Sequence, residues 1–525
     1  MNWLTLLVPF AQAEDTGQLP TLYIAWKKDL GQLVIDPPAG EHLAPEAPMG
    51  GWLEVDGRHL SVEGSGQSFA QGVGLTLPGD GPHTVQGELS LSLCENGGTA
   101  CRPVSMGFIG QIDGRKGQTW LAVHPVIPEN LGEDQPEPPA FSPEDAFQAA
   151  LADDKLVLLD FSAVWCPPCN ALAAEVLHAD RPVLDDFHVV LLDADTPASW
   201  AWKDRYQVGG YPTVVLARAD GSEVDRRVGY ESREDFEGWL AEAAQGQLLS
   251  LDEQRAQATT PQQQAALALR LAGLKQDQEA LDLLELPGVL DHADARIARF
   301  DLLGEVEDAR WLAESAPTRI LEWGWGLLSL ERTSEDNGAF FAAASKAILA
   351  SDSVVDTAFL LHLQAQFAGD PAVTQALNAA AAATLESALV GDPELDRAHW
   401  TALAGLYEDA GQPERALSLL QEACGEYPHE LTFFHAAAGL LLRQERYDEG
   451  LPYAHAALAL SYGDQRLRAA MRLARLMDGA GDREAAIAVL ETELGSFERP
   501  DPELQVRSHR YVTQTEALLA ELQGE

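Results

Sequence analysis

Three hydrophobic patterns follow one another along the 525 residues and together predict a multidomain chain: a β-sandwich, then an α/β domain, then an α-helical solenoid. Residues 14–125 alternate apolar and polar positions in short runs broken by Gly-, Pro- and Asp-containing turns, the pattern of half-buried strands. Residues 142–248 mix strand-like and helical runs in an order that gives a mixed sheet covered by helices. Residues 249–525 are rich in Ala and Leu at helical spacing and repeat with a long period. A chain of this length exceeds what one hydrophobic core can organise.

Residues 1–13 are apolar and end in Ala11-Gln12-Ala13, which fits a short export signal with a small-x-small cleavage site and predicts a periplasmic or secreted protein. Strands are expected at Thr21 to Trp26, Gln32 to Asp36, Gly51 to Val55, Gly72 to Leu77, Val85 to Leu93, Met106 to Ile112 and Thr119 to Val123. In the run from Val85, the residues Val85, Leu89, Leu91 and Leu93 share a face while Ser90 and Ser92 point away. A two-sheet sandwich of immunoglobulin-like size is the expected result. Cys94 ends one strand and Cys101 begins the next segment, a spacing that suits a bridge across a turn. From the residues alone, a structural staple and a redox-active pair both stay open. A metal is disfavoured, because no second thiol pair accompanies them.

Pro125, Pro128, Pro136, Pro138 and Pro139 stand among Glu129, Glu133, Asp134 and Glu137. Proline blocks regular pairing and like charges extend the segment, so residues 126–141 read as a hinge. Beyond it come a helix from Pro143 to Ala152 capped by Ser142, a strand from Lys155 to Phe161, and then Trp165-Cys166-Pro167-Pro168-Cys169. A helix from Asn170 to Leu177, a strand from His188 to Asp193, a helix from Ser199 to Tyr206, a hairpin of Thr213 to Ala217 with Glu223 to Val228, and a helix from Ser232 to Ala243 follow. Two thiols three positions apart at a helix start can close a small disulfide. The unpaired N–H groups and the positive end of the helix dipole there favour a thiolate at the first.

These elements resemble the thioredoxin family. Trp165-Cys166-Pro167-Pro168-Cys169 matches the active-site box, Asp160 the buried acid position, and Gly210-Tyr211-Pro212-Thr213 the loop with a cis proline. Ser162 stands where small thioredoxins commonly have an aromatic residue, and Pro167 where glycine is usual. The stretch from Asn170 to Val183 is similar to the carboxy-terminal domain of the DsbD family of thiol–disulfide interchange proteins. The segment Gly40 to Pro48, the strand Gly87 to Leu93, and Cys94 and Cys101 followed by Arg102-Pro103-Val104 resemble that family's immunoglobulin-like amino-terminal domain. The resemblance implies that Cys94 and Cys101 form a second redox pair. It assigns Cys166 as an exposed nucleophile, Cys169 as the resolving thiol and Asp160 as a proton carrier beneath them. Pro212 and Tyr211 would present backbone to an extended substrate chain. Trp165, Pro167 and Pro168 would surround the pair.

In the last part, Trp400, Leu403, Ala404, Tyr407, Ala416, Leu420, Ala423 and Pro428 fall on tetratricopeptide spacings. Repeats are expected over 397–430, 431–465 and 466–498, with an earlier unit at Gln262 to Leu284 that has Ala266, Leu269, Ala280 and Leu283. Such stacks present grooves to protein partners. Cys424 reads as a small buried residue, and Trp323, Trp325, Phe340 and Phe341 as core. A formal net charge of −47 argues against nucleic acid or an anionic membrane as partner. No apolar run is long enough for a membrane span. No metal cluster or phosphate loop is evident, and no cofactor is called for. The sequence therefore predicts a thiol–disulfide oxidoreductase acting on protein thiols and disulfides, as reductase or relay. The alternative is a repeat-based scaffold in which the α/β domain only docks.

Overall fold

The computed structural model describes residues 20–27, 30–37, 41–45, 47–56, 58–75, 82–96, 101–113, 118–125, 142–179, 181–428 and 430–524. The expected export signal at 1–13 and hinge at 126–141 lie outside them. The chain divides into two compact units, one made of residues 1–131, 417–461 and 469–489, the other of residues 132–416, 462–468 and 490–525.

Among its described residues the first unit contains nine strands: β1 (Thr21–Lys27), β2 (Leu30–Asp36), β3 (Glu41–Leu43), β4 (Pro48–Val55), β5 (Arg58–Ser65), β6 (Val73–Leu75), β7 (Pro82–Glu95), β8 (Cys101–Asp113) and β9 (Gln118–Pro125). They form one hydrogen-bonded path, β5-β4-β7-β8-β9-β1-β2-β6, with β3 added to β7. Every pairing is antiparallel. Leu33 and Ile35 from one end of this path share a single hydrophobic cluster with Leu53 and Val55 from the other, so the sheet curls onto its own inner face. Alternation does the sorting: Val85, Leu89, Leu91 and Leu93 are all buried, and Ser90 is exposed.

Two strands and a helix had no signal in the sequence. β3 has three residues, and β5 buries only Val62 fully, so neither shows a usable alternation. The helix Gly66–Gln71 is too short for a helical period. It forms because Ser65 Oγ accepts the Ser68 N–H at 3.4 Å, a serine cap on an orphan donor. The expected strand from Gly72 to Leu77 is described as Val73–Leu75. In this same unit the helix Tyr447–Leu460 packs on β8 and β9. The buried Tyr453 hydroxyl donates to Val123 O at 3.1 Å and accepts from Gln421 Nε2 at 2.8 Å, so its polar tip is satisfied inside.

The second unit contains a four-stranded sheet, β11-β10-β12-β13, from β10 (Leu156–Ser162), β11 (Phe187–Asp193), β12 (Thr213–Ala217) and β13 (Glu223–Val228). β11 runs parallel to the central β10, and β12 and β13 are antiparallel neighbours in turn. Val157 to Phe161 are buried without a break. Leu158 joins one hydrophobic cluster while Val157, Leu159 and Phe161 join another. A strand covered on both faces reads as a continuous apolar run for this reason. Ser142 and Ser232 cap the flanking helices Pro143–Asp153 and Arg233–Ala244 by accepting the Asp145 and Asp235 N–H groups.

Beyond residue 250 the described elements are helical and mostly paired, among them Pro261–Gly273 with Asp277–Leu284, Val354–Ala365 with Pro371–Glu386, and Leu431–Arg443 with Tyr447–Leu460. Trp323 and Phe340 are fully buried, edge to face with centroids 6.0 Å apart, and Trp325 and Phe341 pack against the same cluster. Of the positions expected in the earliest pair, Ala280 is buried and Leu269 and Leu283 pack against the core of Ala265, Ala268 and Leu271, while Ala266 is exposed. In an Ala-rich helix, neighbouring positions differ too little in polarity to fix the rotation. The helix expected near 397 begins at Pro393, because Asp392 accepts the Glu394 N–H at 3.1 Å and proline fits the first turn. Among the described residues no helix is long and apolar enough to cross a membrane.

Gly87 lies where β7 is pressed between its neighbours: a Cβ there would come 2.3 Å from Trp52 O and 2.7 Å from Phe108 Cζ. Gly87→Ala should therefore lower unfolding stability by about 1–3 kcal/mol, the usual cost of overpacking. A urea melt that superimposes on the wild type would rule out so close an approach.

Candidate active site

The register of the four-stranded sheet assembles the site. Phe161 pairs with Thr213, and Ser162 with Asp193, so the turns that follow β10 and β11 and the turn that precedes β12 meet at one edge. Ala194 N–H donates to Ser162 O at 2.8 Å. The loop from Ala163 is closed by Cys166 N–H donating to Ala163 O at 3.0 Å and by Asn170 Nδ2 donating to Val164 O at 3.1 Å. Cys166 then occupies the cap of the helix Pro167–Leu172, with Pro167 and Pro168 in the first turn. Proline belongs there because its missing N–H would have no helical partner. The helix thus starts three residues before the expected Asn170, and continues as a π-helical turn from Ala173 to Leu177.

Cys166 and Cys169 form a disulfide, S–S 2.15 Å with Cα atoms 5.2 Å apart. Cys166 Sγ also accepts the Cys169 N–H at 3.3 Å, the contact that would stabilise a thiolate at this position. Tyr211-Pro212 is a cis peptide, and Tyr211 and Trp165 pack against the sulfur pair. Six residues singled out in the sequence are therefore brought together here: Trp165, Cys166, Pro167, Cys169, Tyr211 and Pro212. Pro168 completes the helix turn.

One expectation fails. The nucleophile was expected to be exposed at the helix start, yet Cys166 is 3% and Cys169 2% exposed. Trp165 and Tyr211, whose rings meet edge-on at 6.1 Å, pack against the pair.

Asp160 is buried in β10 with 3% exposure. Ser162 Oγ donates to its Oδ2 at 2.5 Å, while Oδ1 has no hydrogen-bond partner among the described residues. Burial pushes its carboxyl up to about 7, against the smaller opposing effect of the Ser162 hydroxyl. Such a group changes protonation near neutral pH.

Sequence reasoning missed the groups that hold Trp165. Its indole N–H donates to Asp195 Oδ2 at 2.7 Å, and Asp195 Oδ1 accepts from Gln465 Nε2 at 2.9 Å, 270 positions away. Burial raises the Asp195 carboxyl and lowers the Lys203 ammonium, whose Nζ donates to Ala194 O. Asp464, raised to about 6 by burial, accepts from Ser508 Oγ at 2.8 Å. The guanidinium of Arg468 lies 5.0 Å from the Trp165 ring, and that of Arg507 lies 5.7 Å from Trp165 and 5.3 Å from Tyr211. Asp195, buried two residues past the end of β11, carries no local signal that links it to residues 464–468 or 507–508.

Cys94 and Cys101 lie in the other unit, directly opposite one another in the β7–β8 register, and Cys94 is disulfide-bonded. The Cys101 side chain lies outside the described ones. Cys424 is a buried free thiol whose burial holds its pKa well above the ordinary value. Among the described residues no cluster of His, Cys, Asp and Glu could hold a metal ion.

Comparison with known proteins follows the same division of the chain. The thioredoxin family profile matches residues 140–242. A thioredoxin of Chlamydia trachomatis is 40% identical over 83 residues, which is 15% of this chain and 76% of that protein. A thioredoxin of Alicyclobacillus acidocaldarius is 32% identical over 105 residues, 19% of this chain and 91% of its own length. The oxidised carboxy-terminal domain of Neisseria meningitidis DsbD is 31% identical, covering 18% of this chain and 89% of that structure, with a TM-score of 0.17. With a paired Cys-X-X-Cys at the head of a helix and a cis-proline turn against it, the protein is a thiol–disulfide oxidoreductase and belongs to the thioredoxin family.

Proposed function

We propose that the protein reduces disulfides in protein partners, with Cys166 as nucleophile and Cys169 as resolving thiol, and that Cys94 and Cys101 form a second redox pair in the same relay. The observation that carries this reading is the Cys166–Cys169 disulfide lying against the cis-proline turn. In the forward direction the Cys166 thiolate attacks one sulfur of a partner disulfide. A Cys166–partner bond forms and the other partner sulfur leaves as thiolate. Cys169, once deprotonated, attacks Cys166 Sγ, closing the disulfide and releasing the second partner thiolate. Two electrons pass from the dithiol to the partner, and a dithiol protein must return them. Asp160 is the group suited to take the Cys169 proton, since its carboxyl titrates near neutral pH.

The finer architecture belongs to this proposal. The curled sheet is read as an immunoglobulin-like domain over 14–125, followed by a linker over 126–141, the thioredoxin-like domain over 142–248 and a tetratricopeptide-like domain over 249–525. The packed helix pair Leu431–Arg443 with Tyr447–Leu460 supports the repeat reading, and a protein partner on that region belongs to the same proposal. The arrangement is that of the soluble ends of a DsbD-type relay. Export to the periplasm or outside the cell is part of the same reading, and amino-terminal sequencing of the mature chain should then begin at Glu14. An intact Met1 in the natural host would exclude cleavage there.

Cys169→Ser should stop resolution and accumulate mixed disulfides on Cys166. Within the relay, peptide mapping should find Cys166 joined to Cys94 or Cys101. If trapping captures other proteins but never either of those cysteines, the second pair leaves the relay while the reductase reading stands.

The raised Asp160 carboxyl has a stability consequence of definite sign. Its folded value lies above the unfolded one, so the native state binds the extra proton, and stability falls as pH rises from about 4 to about 7. Over that window wild type should lose about 4 kcal/mol relative to Asp160→Asn. Denaturant melts of both proteins at pH 4 and pH 8 measure the difference, and parallel pH profiles would remove Asp160 as a buried acid.

A further inference from the structure

We propose that Arg468 and Arg507 determine which partners reach Cys166: they hold Trp165 and Tyr211 as a gate over the oxidised dithiol, and a polypeptide gains access only when the segments 463–468 and 505–511 shift. This rests on the preceding reading that the dithiol exchanges with proteins. Exchange requires an entering sulfur to approach in line with the S–S bond. With Cys166 and Cys169 3% and 2% exposed, that approach is blocked, so a protein-reactive dithiol implies a cover that moves.

The cover is built, not incidental. Arg468 reaches both Trp165 and Tyr511, at 5.0 and 5.8 Å, and Arg507 reaches both Trp165 and Tyr211. The indole is also fixed through Asp195 to Gln465, and Gln465 Oε1 accepts from Arg468 at 2.9 Å. Asp464 N–H donates to Asp195 O at 3.0 Å, and Ser508 donates to Asp464. The backbone at Gly463, φ +47°, comes so near that a Cβ would sit 1.9 Å from Asp195 O. The contacts to Trp165, Tyr211 and Asp195 join the thioredoxin-like part to residues far along the chain, the others tie those distal residues to one another, and each is polar, aromatic–cationic or a glycine approach. Such contacts can part without exposing a hydrophobic core.

The full-length oxidised chain should be mixed with reduced bacterial thioredoxin, a protein dithiol, and separately with dithiothreitol, and loss of the Cys166–Cys169 bond followed by alkylation and mass analysis. Opening the gate with Arg468→Ala/Arg507→Ala should speed reduction by the protein dithiol at least about tenfold, as expected when a mostly closed state is opened, and by a smaller factor for dithiothreitol. Gly463→Val, which wedges the segment away and leaves both arginines, should change the ratio of the two rates in the same direction. Equal ratios in wild type and both variants would overturn the gate. If every chain reacts with dithiothreitol and none with the protein dithiol, exchange with proteins fails, and the gate fails with it.

Discussion

The pairing of β10 with its two neighbours is the constraint on which the site depends. Val157 to Phe161 are all buried, and a slip by one position would exchange Leu158 with Val157, Leu159 and Phe161 between the two close-packed clusters that cover the strand, misfitting both. That fixed register sets Thr213 opposite Phe161 and Asp193 opposite Ser162. Three turns then converge, bringing the sulfur pair, the cis-proline peptide and Asp195 to one place. None of these groups is positioned by its own interactions alone. Rigidity in the apolar sheet is converted into precision at a polar edge.

The same burial creates tension within β10. Asp160 sits in the run of core residues with one carboxylate oxygen bonded to Ser162 and the other without a hydrogen-bond partner among the described residues. A well-packed apolar side chain would be more stable there at neutral pH, because an uncompensated charge in the interior is costly. What burial gives in return is a carboxyl that titrates near neutral pH, where an ordinary surface aspartate is permanently ionised. The loss of stability and the gain of a proton-exchanging group have one physical cause.

How much could be read from the sequence followed the strength of local signals. Thr213 to Ala217 and Glu223 to Val228 were read to the residue, because Asp220 and Gly221 mark the turn between them, with Gly221 at φ +78°. The dithiol was legible because both cysteines and the helix start lie within four positions. The edge strand β5, with one fully buried residue, and the Ala-rich helix at 261–273 offered too little contrast to fix face or boundary. The covering of Cys166 was illegible for a different reason. Exposure at a helix start is a local expectation, whereas Arg468 and Arg507, which stand against Trp165, come about 300 and 340 positions downstream of it, and no periodicity connects such distances.

Electrostatics explain why those distant groups matter to the sulfur chemistry. A thiolate at Cys166 adds negative charge to a chain already at −47, which taken as a whole would oppose ionisation. Yet charges farther than a Debye length, about 8 Å at physiological ionic strength, are largely screened. What decides the cost is the immediate surroundings. There Cys166 Sγ accepts a backbone N–H, and two guanidinium groups lie within 6 Å of the Trp165 ring beside it. Asp195, Asp464 and Asp193 oppose them, but Lys203 lies among those acids and burial holds the carboxyls of Asp195 and Asp464 above their usual range, weakening the opposition. In a strongly acidic protein the cations are few, and two of them stand against Trp165, the ring that packs on the dithiol.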